Sequence, residues 1–209
     1  QSLQRVCKSS QFILGSEVAR FEEEFARFCG ARYGIGVASG TDALELSLRA
    51  AGIGAGDQVA TVSFTFFATV DAILHVGAEP LFVDIDPNTY TMDPAGLESR
   101  LQALTSAERK RVKAVIPVHL YGHPCDMDRL QRIARQYRLA VIEDAAQAAG
   151  ATWRGRPVGS LGDFGCFSFY VTKNLVTGEG GMVVAKHKKD ADRIKDVVYN
   201  RGLWDGAKE

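Results

Sequence analysis

Lys173 ends an apolar run, Phe167-Ser168-Phe169-Tyr170-Val171-Thr172, and is followed by Asn174 and by Gly178-Glu179-Gly180-Gly181. A lysine at the end of a buried-type strand is a candidate nucleophile, because desolvation lowers its pKa and frees the amine to attack a carbonyl. The glycines allow tight turns beside a bulky ring. The same residues also suit an ordinary exposed loop lysine. A second candidate is Val141-Ile142-Glu143-Asp144-Ala145-Ala146, where an apolar strand ends in two carboxylates and then small residues. One acid at a strand's carboxyl end points into the ligand crevice of an α/β sheet. There it can hold a pyridinium nitrogen protonated and make the ring an electron sink. A helix N-cap aspartate is the alternative.

Ser39-Gly40-Thr41-Asp42 follows a short strand and opens a helix. Ser39 or Thr41 can cap that helix, Asp42 and Glu45 have capping-box spacing, and the unpaired N–H groups of a helix start suit a phosphate. Gly40 permits close backbone approach. A plain capped helix reads equally well here. In Phe64-Thr65-Phe66-Phe67 one aromatic is placed to stack on a planar ring, and core packing accounts for at least one of the others. Two other short matches fail: Asp163-Phe164-Gly165 has no kinase catalytic loop beside it, and Gly34-Ile35-Gly36 lacks the third glycine of a dinucleotide fingerprint.

The elements that must position these groups alternate. Strand patterns at 35–38, 59–63, 80–84, 112–118, 139–142, 165–170 and 181–185 are interleaved with helical patterns at 42–51, 65–75, 94–104 and 127–137. Continuous apolar strands separated by helices predict an α/β fold with a parallel or mostly parallel sheet covered on both faces. Val18, Phe21, Phe25 and Phe28 form an N-terminal apolar stripe that needs a partner surface, in its own domain or in another subunit. Glu22, Glu23, Glu24 and Arg27 are expected on the opposite face.

Twenty-five basic and twenty-five acidic residues cancel, which gives no electrostatic footprint for nucleic acid and no polybasic membrane signal. His187-Lys188-Lys189 is followed at once by Asp190, Asp192 and Asp196 and reads as a solvated helix face. No apolar run is long enough to span a bilayer. The four cysteines form no C-x-x-C pair and the four histidines no H-E-x-x-H, so no metal site is expected and reduced cytoplasmic thiols are the simplest reading. The chain opens on Gln1 inside a helical pattern, which suggests that a stretch precedes it.

Taken in order, the motifs Ala38-Ser39-Gly40-Thr41-Asp42-Ala43-Leu44, Phe64-Thr65-Phe66, Pro117-Val118-His119-Leu120-Tyr121-Gly122, Glu143-Asp144-Ala145-Ala146-Gln147, Phe167-Ser168-Phe169 through Lys173-Asn174, and Thr177-Gly178-Glu179-Gly180-Gly181 resemble those of the DegT/DnrJ/EryC1/StrS sugar aminotransferases. The resemblance runs from Gln11-Phe12-Ile13-Leu14-Gly15 to Asn200-Arg201-Gly202. It implies the large domain of a fold type I transferase dependent on pyridoxal 5′-phosphate (PLP), a mostly parallel seven-stranded sheet in three α/β/α layers. Residues 1–30 would form an N-terminal helical segment and 31–209 the PLP-binding domain, with the family's C-terminal small domain absent from this chain. By the same resemblance Lys173 bonds the cofactor as a Schiff base and moves protons, and Asp144 pairs with the ring nitrogen. Gln147 lies near the ring hydroxyl and Phe66 stacks on the ring. Gly40, Thr41, Asp42 and Ser168 hold the phosphate, and Asn174 belongs to the cofactor-binding lysine segment. His119 lies near the site without an assigned role.

The implied reaction is ping-pong transfer of an amino group from glutamate to a nucleotide-linked keto-sugar, of the kind used to build polysaccharide or antibiotic sugars, by a cytoplasmic homodimer. Relatives with histidine in place of the lysine are dehydratases, and this chain keeps the lysine. The competing readings are a non-catalytic PLP-binding regulatory module and another fold type I PLP enzyme, such as a lyase or aldolase.

Overall fold

The computed structural model describes residues 1–200. In chain order the elements are α1 (Ser2–Ser9), α2 (Ser16–Phe28), β1 (Tyr33–Val37), α3 (Gly40–Ala50), β2 (Gln58–Val62), α4 (Ala68–His75), β3 (Glu79–Val83), α5 (Pro94–Ala103), α6 (Ser106–Arg111), β4 (Val112–Val115), α7 (Met127–Tyr137), β5 (Ala140–Asp144), β6 (Thr152–Trp153), β7 (Arg156–Pro157), β8 (Phe164–Ser168), β9 (Gly181–Ala185) and α8 (Lys188–Asn200). Seven strands form one sheet in the order β1-β9-β8-β5-β4-β2-β3, and β6 and β7 form a separate hairpin. The pairings from β3 through to β8 are parallel, whereas β9 runs antiparallel to both β8 and β1. The sheet is therefore seven-stranded and mostly parallel, as expected.

Both faces of the sheet are buried, which explains the continuous apolar strands. On β9, Met182 and Val184 pack into a core with Phe25, Leu97, Leu101, Leu130 and Ile133, so α2, α5 and α7 cover that face. Val183 and Ala185 point the other way, into a core with Leu44, Leu48, Ala72, Ile73 and Ile194 from α3, α4 and α8. The N-terminal stripe finds much of its partner surface within the chain. Phe25 meets Phe167 and Phe169 edge-on at centroid distances of 4.9 and 5.2 Å, and Phe21 meets Phe169 at 5.2 Å. Phe28 stays exposed.

Several local expectations are corrected. Glu22 does not face away with Glu23 and Glu24: it is buried, and its Oε1 accepts the Gly36 N–H at 2.8 Å, so a polar group on the apolar side of α2 ties the helix to β1. The helix expected from Thr65 begins only at Ala68, leaving Phe64 to Phe67 as a loop at the end of β2. The strand expected over 112–118 stops at Val115, and beyond Pro117 only an isolated bridge from Val118 to Asp144 continues it. The box at the start of α3 joins Ser39 to Asp42 rather than Asp42 to Glu45, and Glu45 instead pairs with Arg49 at 2.8 Å. In the solvated face read over 187–196, Lys188 does pair with half-buried Asp192, but Asp190 is buried. Arg201 and Gly202, the last residues of the resemblance, lie outside the described residues.

Replacing Phe25 by alanine removes a buried ring packed against four others. We expect a loss of about 3 kcal/mol of stability, read as a lower urea midpoint at unchanged slope.

Candidate active site

The carboxyl ends of the parallel strands surround a cavity of about 530 Å³, within the usual size range of small-molecule sites. Its lining includes Gly40, Thr41, Phe66, Asp144, Gln147, Ser168 and Lys173. Seven of the nine residues expected at a cofactor site are thus brought together from stretches far apart in sequence. The other two are not on this wall. The Asp42 carboxylate turns into the helix cap, where it accepts the Ser39 hydroxyl at 2.8 Å, and Asp42 lines a different concavity beside Val18 and Phe21. Asn174 is exposed beyond Lys173 and does not line the cavity.

One end of the cavity is built by α3. Ser39 is extended, and its hydroxyl caps the helix by accepting the Asp42 N–H at 3.1 Å. Gly40 and Thr41 occupy the next two positions, where no intrahelical carbonyl can reach their N–H groups. A Cβ on Gly40 would stand 2.8 Å from the Ser168 Cβ. Glycine is what lets the positive end of the helix close against the end of β8, and the result is an anion seat of backbone N–H groups beside a serine.

The opposite wall is Asp144, the last residue of β5, buried to 6% exposure. Its Oδ2 accepts the Thr69 hydroxyl at 2.7 Å and its Oδ1 the Ala146 N–H at 3.1 Å, while Thr65 and Thr69 share a hydrogen bond of 2.9 Å. Burial raises the Asp144 pKa above the ordinary carboxylate value, and the Thr69 and Ala146 donors pull it part of the way back. A carboxylate in this condition favours a cationic partner in the cavity, and a protonated ring nitrogen is one. Thr69 escaped sequence reading because it sits inside α4. The signal for it is a hydroxyl residue in the first turn of a helix that follows an aromatic loop.

Lys173 is half-buried on the loop after β8. Its N–H donates to the Tyr170 carbonyl at 2.9 Å, and Tyr170 bridges Gly178 to close the loop. Gly180 has φ 146°, and a Cβ there would stand 2.8 Å from the Thr177 Oγ1, so the glycine run is needed for the loop to return to β9. The ammonium of Lys173 lies 5.9 Å from the centroid of the Phe66 ring, which is 57% exposed. An amine and an aromatic face thus flank the same space. Gln147 is oriented by its Oε1, which accepts the Tyr121 N–H at 2.7 Å.

The family model of the DegT/DnrJ/EryC1/StrS aminotransferase family matches residues 1–206. The chain belongs to this family. Among relatives, it is 47% identical over 201 residues to the UDP-N-acetyl-3-dehydro-alpha-D-glucosamine 3-aminotransferase of Acidithiobacillus ferrooxidans, covering 96% of this chain and 52% of that protein. Among solved structures, DesV of S. venezuelae in complex with a ketimine intermediate superimposes with a TM-score of 0.88 at 41% identity, over 96% of this chain and 53% of DesV. NtdA of Bacillus subtilis with bound cofactor PMP superimposes with a TM-score of 0.86 at 34% identity, over 94% of this chain and 43% of NtdA. The chain therefore spans about half the length of the proteins it matches. Among its described residues no helix is long and apolar enough to cross a membrane.

The raised Asp144 pKa makes a prediction about the cofactor-free protein. The carboxyl ionises near pH ~3.9 when unfolded and at higher pH when folded, so the stability tied to its neutral form is lost as pH rises through the folded pKa. The stability difference between wild type and Asp144→Asn should move in the variant's favour as pH rises from about 4 through neutrality. Urea midpoints across that range measure it, and a difference independent of pH would show that Asp144 titrates as in the unfolded chain.

Proposed function

We propose that the whole protein is a PLP-dependent aminotransferase that moves an amino group from glutamate to a nucleotide-linked keto-sugar. One observation carries this reading: a single cavity presents the Lys173 amine opposite the Phe66 face, the buried Asp144 carboxylate at one wall and the start of α3 at the other. These groups fit the cofactor's parts one by one. The Gly40 and Thr41 N–H groups with the Ser168 hydroxyl suit its phosphate, and Asp42 contributes by fixing the helix start through its bond to Ser39. Phe66 suits its ring face, Asp144 its ring nitrogen and Gln147 its ring hydroxyl. The names of the similar aminotransferases support the substrate class.

Bound in this cavity, PLP supplies an electron sink for the carbon–hydrogen bond broken beside the transferred nitrogen. The chain's own residues do the rest. The Asp144 carboxylate would pair with the ring nitrogen and keep it protonated. Lys173 Nζ would hold the cofactor and, when free of it, would hold and deliver the proton moved beside the transferred nitrogen. Phe66 and Tyr170 line the same space and remain open to solvent.

The test uses the full-length protein loaded with PLP. Glutamate alone should convert the bound cofactor to its amine form, seen as loss of the absorption band near the visible, and borohydride added beforehand should label Lys173 on peptide mapping. An unchanged spectrum would favour the regulatory-module reading, and a label on another lysine would remove Lys173 from the role.

We further propose a cytoplasmic homodimer with its sites at the subunit boundary. Exposed Phe64, Phe66 and Phe67, on the loop that lines the cavity through Thr65 and Phe66, offer an apolar surface, and the α3 start supplies few donors for a doubly charged phosphate. A cofactor shared across that boundary ties assembly to PLP by mass action. Sedimentation of the full-length protein should show a dimer that dissociates more readily without PLP. A monomer that turns over at high dilution would rule the arrangement out.

A further inference from the structure

The mechanism leaves three buried side chains unused at the cavity wall: His119, which belongs to the lining, and Glu143 and Cys125 behind it. His119 and Glu143 have no solvent exposure. Glu143 precedes Asp144 on β5, so its side chain leaves the strand on the opposite face. Its Oε1 accepts the N–H groups of Leu161 at 2.7 Å and Gly162 at 2.6 Å, and its Oε2 accepts the Gly159 N–H at 2.8 Å. The fourth partner is His119 Nε2, 2.9 Å from Oε2. On the other edge of the ring, the Cys125 N–H donates to His119 Nδ1 at 3.1 Å, and the Cys125 thiol donates to the Val118 carbonyl at 3.2 Å.

These contacts fix the tautomer. An acceptor of the Cys125 N–H must carry a lone pair, so the ring proton is on Nε2 and is donated to Glu143. Burial opposes a charge on the ring, but Cys125 and the Glu143 carboxylate together outweigh it and move the His119 pKa above the ordinary imidazole value. A second proton would have to sit on Nδ1, pointing at the Cys125 N–H, so the geometry holds the imidazole neutral against that pull.

The same residue is tied to the cavity through the main chain. The His119 N–H donates to the Asp144 carbonyl at 3.0 Å, and the Asp144 N–H donates to the Pro117 carbonyl at 2.9 Å. Two residues further on, the Tyr121 N–H holds Gln147. The segment from Pro117 to Cys125 therefore grips both Asp144 and Gln147, and its own position is set by one ring clamped between Glu143 and Cys125.

We propose that His119, locked as the Nε2–H tautomer between Glu143 and the Cys125 N–H, is a positioning residue that aims Asp144 and Gln147 into the cavity. This rests on the reading of the cavity as a PLP site, but its first test does not. In the full-length, PLP-free protein, ¹⁵N spectra of labelled histidine should show one ring with a protonated Nε2 and a lone pair on Nδ1, absent in His119→Phe. The opposite tautomer, or a ring protonated on both nitrogens, would overturn the proposal even if PLP binds normally.

The second test is PLP affinity measured without any amino donor. His119→Phe keeps the ring volume and leaves Glu143 short of a donor, so affinity should fall about tenfold or more, the size expected when a buried acceptor loses its partner. The losses from His119→Phe and Asp144→Asn should be less than additive in the double variant, since both act on one carboxylate. His119→Gln, which can still donate to Glu143, should recover part of the affinity. Wild-type affinity in a folded His119→Phe, or strictly additive losses, would reduce His119 to a packing role and overturn the proposal. A wild-type protein that bound no PLP would instead sink the function proposed above while leaving the tautomer measurement standing.

Discussion

The structure around the cavity depends on how one buried carboxylate is satisfied. Glu143 has no access to water, and an ionised carboxylate in such a place is costly unless every acceptor site is filled. Here three backbone N–H groups and one imidazole N–H converge on it. Charge-assisted bonds of this kind are among the stronger ones available to a protein. Because their donors come from the 159–162 turn and from the segment after β4, satisfying the charge forces two otherwise irregular stretches into fixed places beside β5. Asp144, the next residue, inherits that rigidity on the opposite face. The pleat of a strand thus separates two acids that are neighbours in sequence: one organises the backbone, and the other faces the cavity.

A second constraint is close backbone approach. Gly40 lets the start of α3 touch Ser168, and Gly165 has no room for a side chain against the Gly159 backbone. Both contacts involve β8, the strand that leads into the lysine loop. The positions of the amine, of the helix start and of the Glu143-bound turn are therefore coupled through one strand. A displacement of β8 would alter all three at once, which is a mechanical reason for small residues to recur along this side of the sheet.

Much of this was readable before any coordinates. Lys173, Asp144 and Ser39-Gly40-Thr41 stand at the ends of apolar runs, and an α/β sheet gathers such ends at one edge. The direction of β9 was not readable, because the alternation of side chains in a strand has the same period in either orientation. Glu22 was misplaced because a helical stripe records which faces are apolar and not which polar residue finds a backbone donor on that face. Asp42 was expected at the phosphate, but its carboxylate is spent on Ser39, a choice between two short-range partners that spacing alone leaves open. The short helix α6 and the β6–β7 hairpin are too brief to show periodicity. Thr69 and the His119–Glu143 pair needed the third dimension, since each joins segments far apart in sequence.

The edge of the sheet carries a consequence for the order in which the chain can assemble. β1, near the amino end, has a single neighbour, β9, the last strand of the described chain. The turn from β1 into α3 carries the Gly40 and Thr41 N–H groups, so that corner of the cavity has no sheet to rest on until β9 has been synthesised and has inserted between β1 and β8. Closing so long a loop is entropically slow. On the ribosome, the parallel strands β2 to β5 can pair with one another well before then, while the first strand and its helix wait with an apolar face uncovered. The nascent chain is therefore more exposed to misassociation at the earlier-made β1 and α3 than at the strands β2 to β5 made after them.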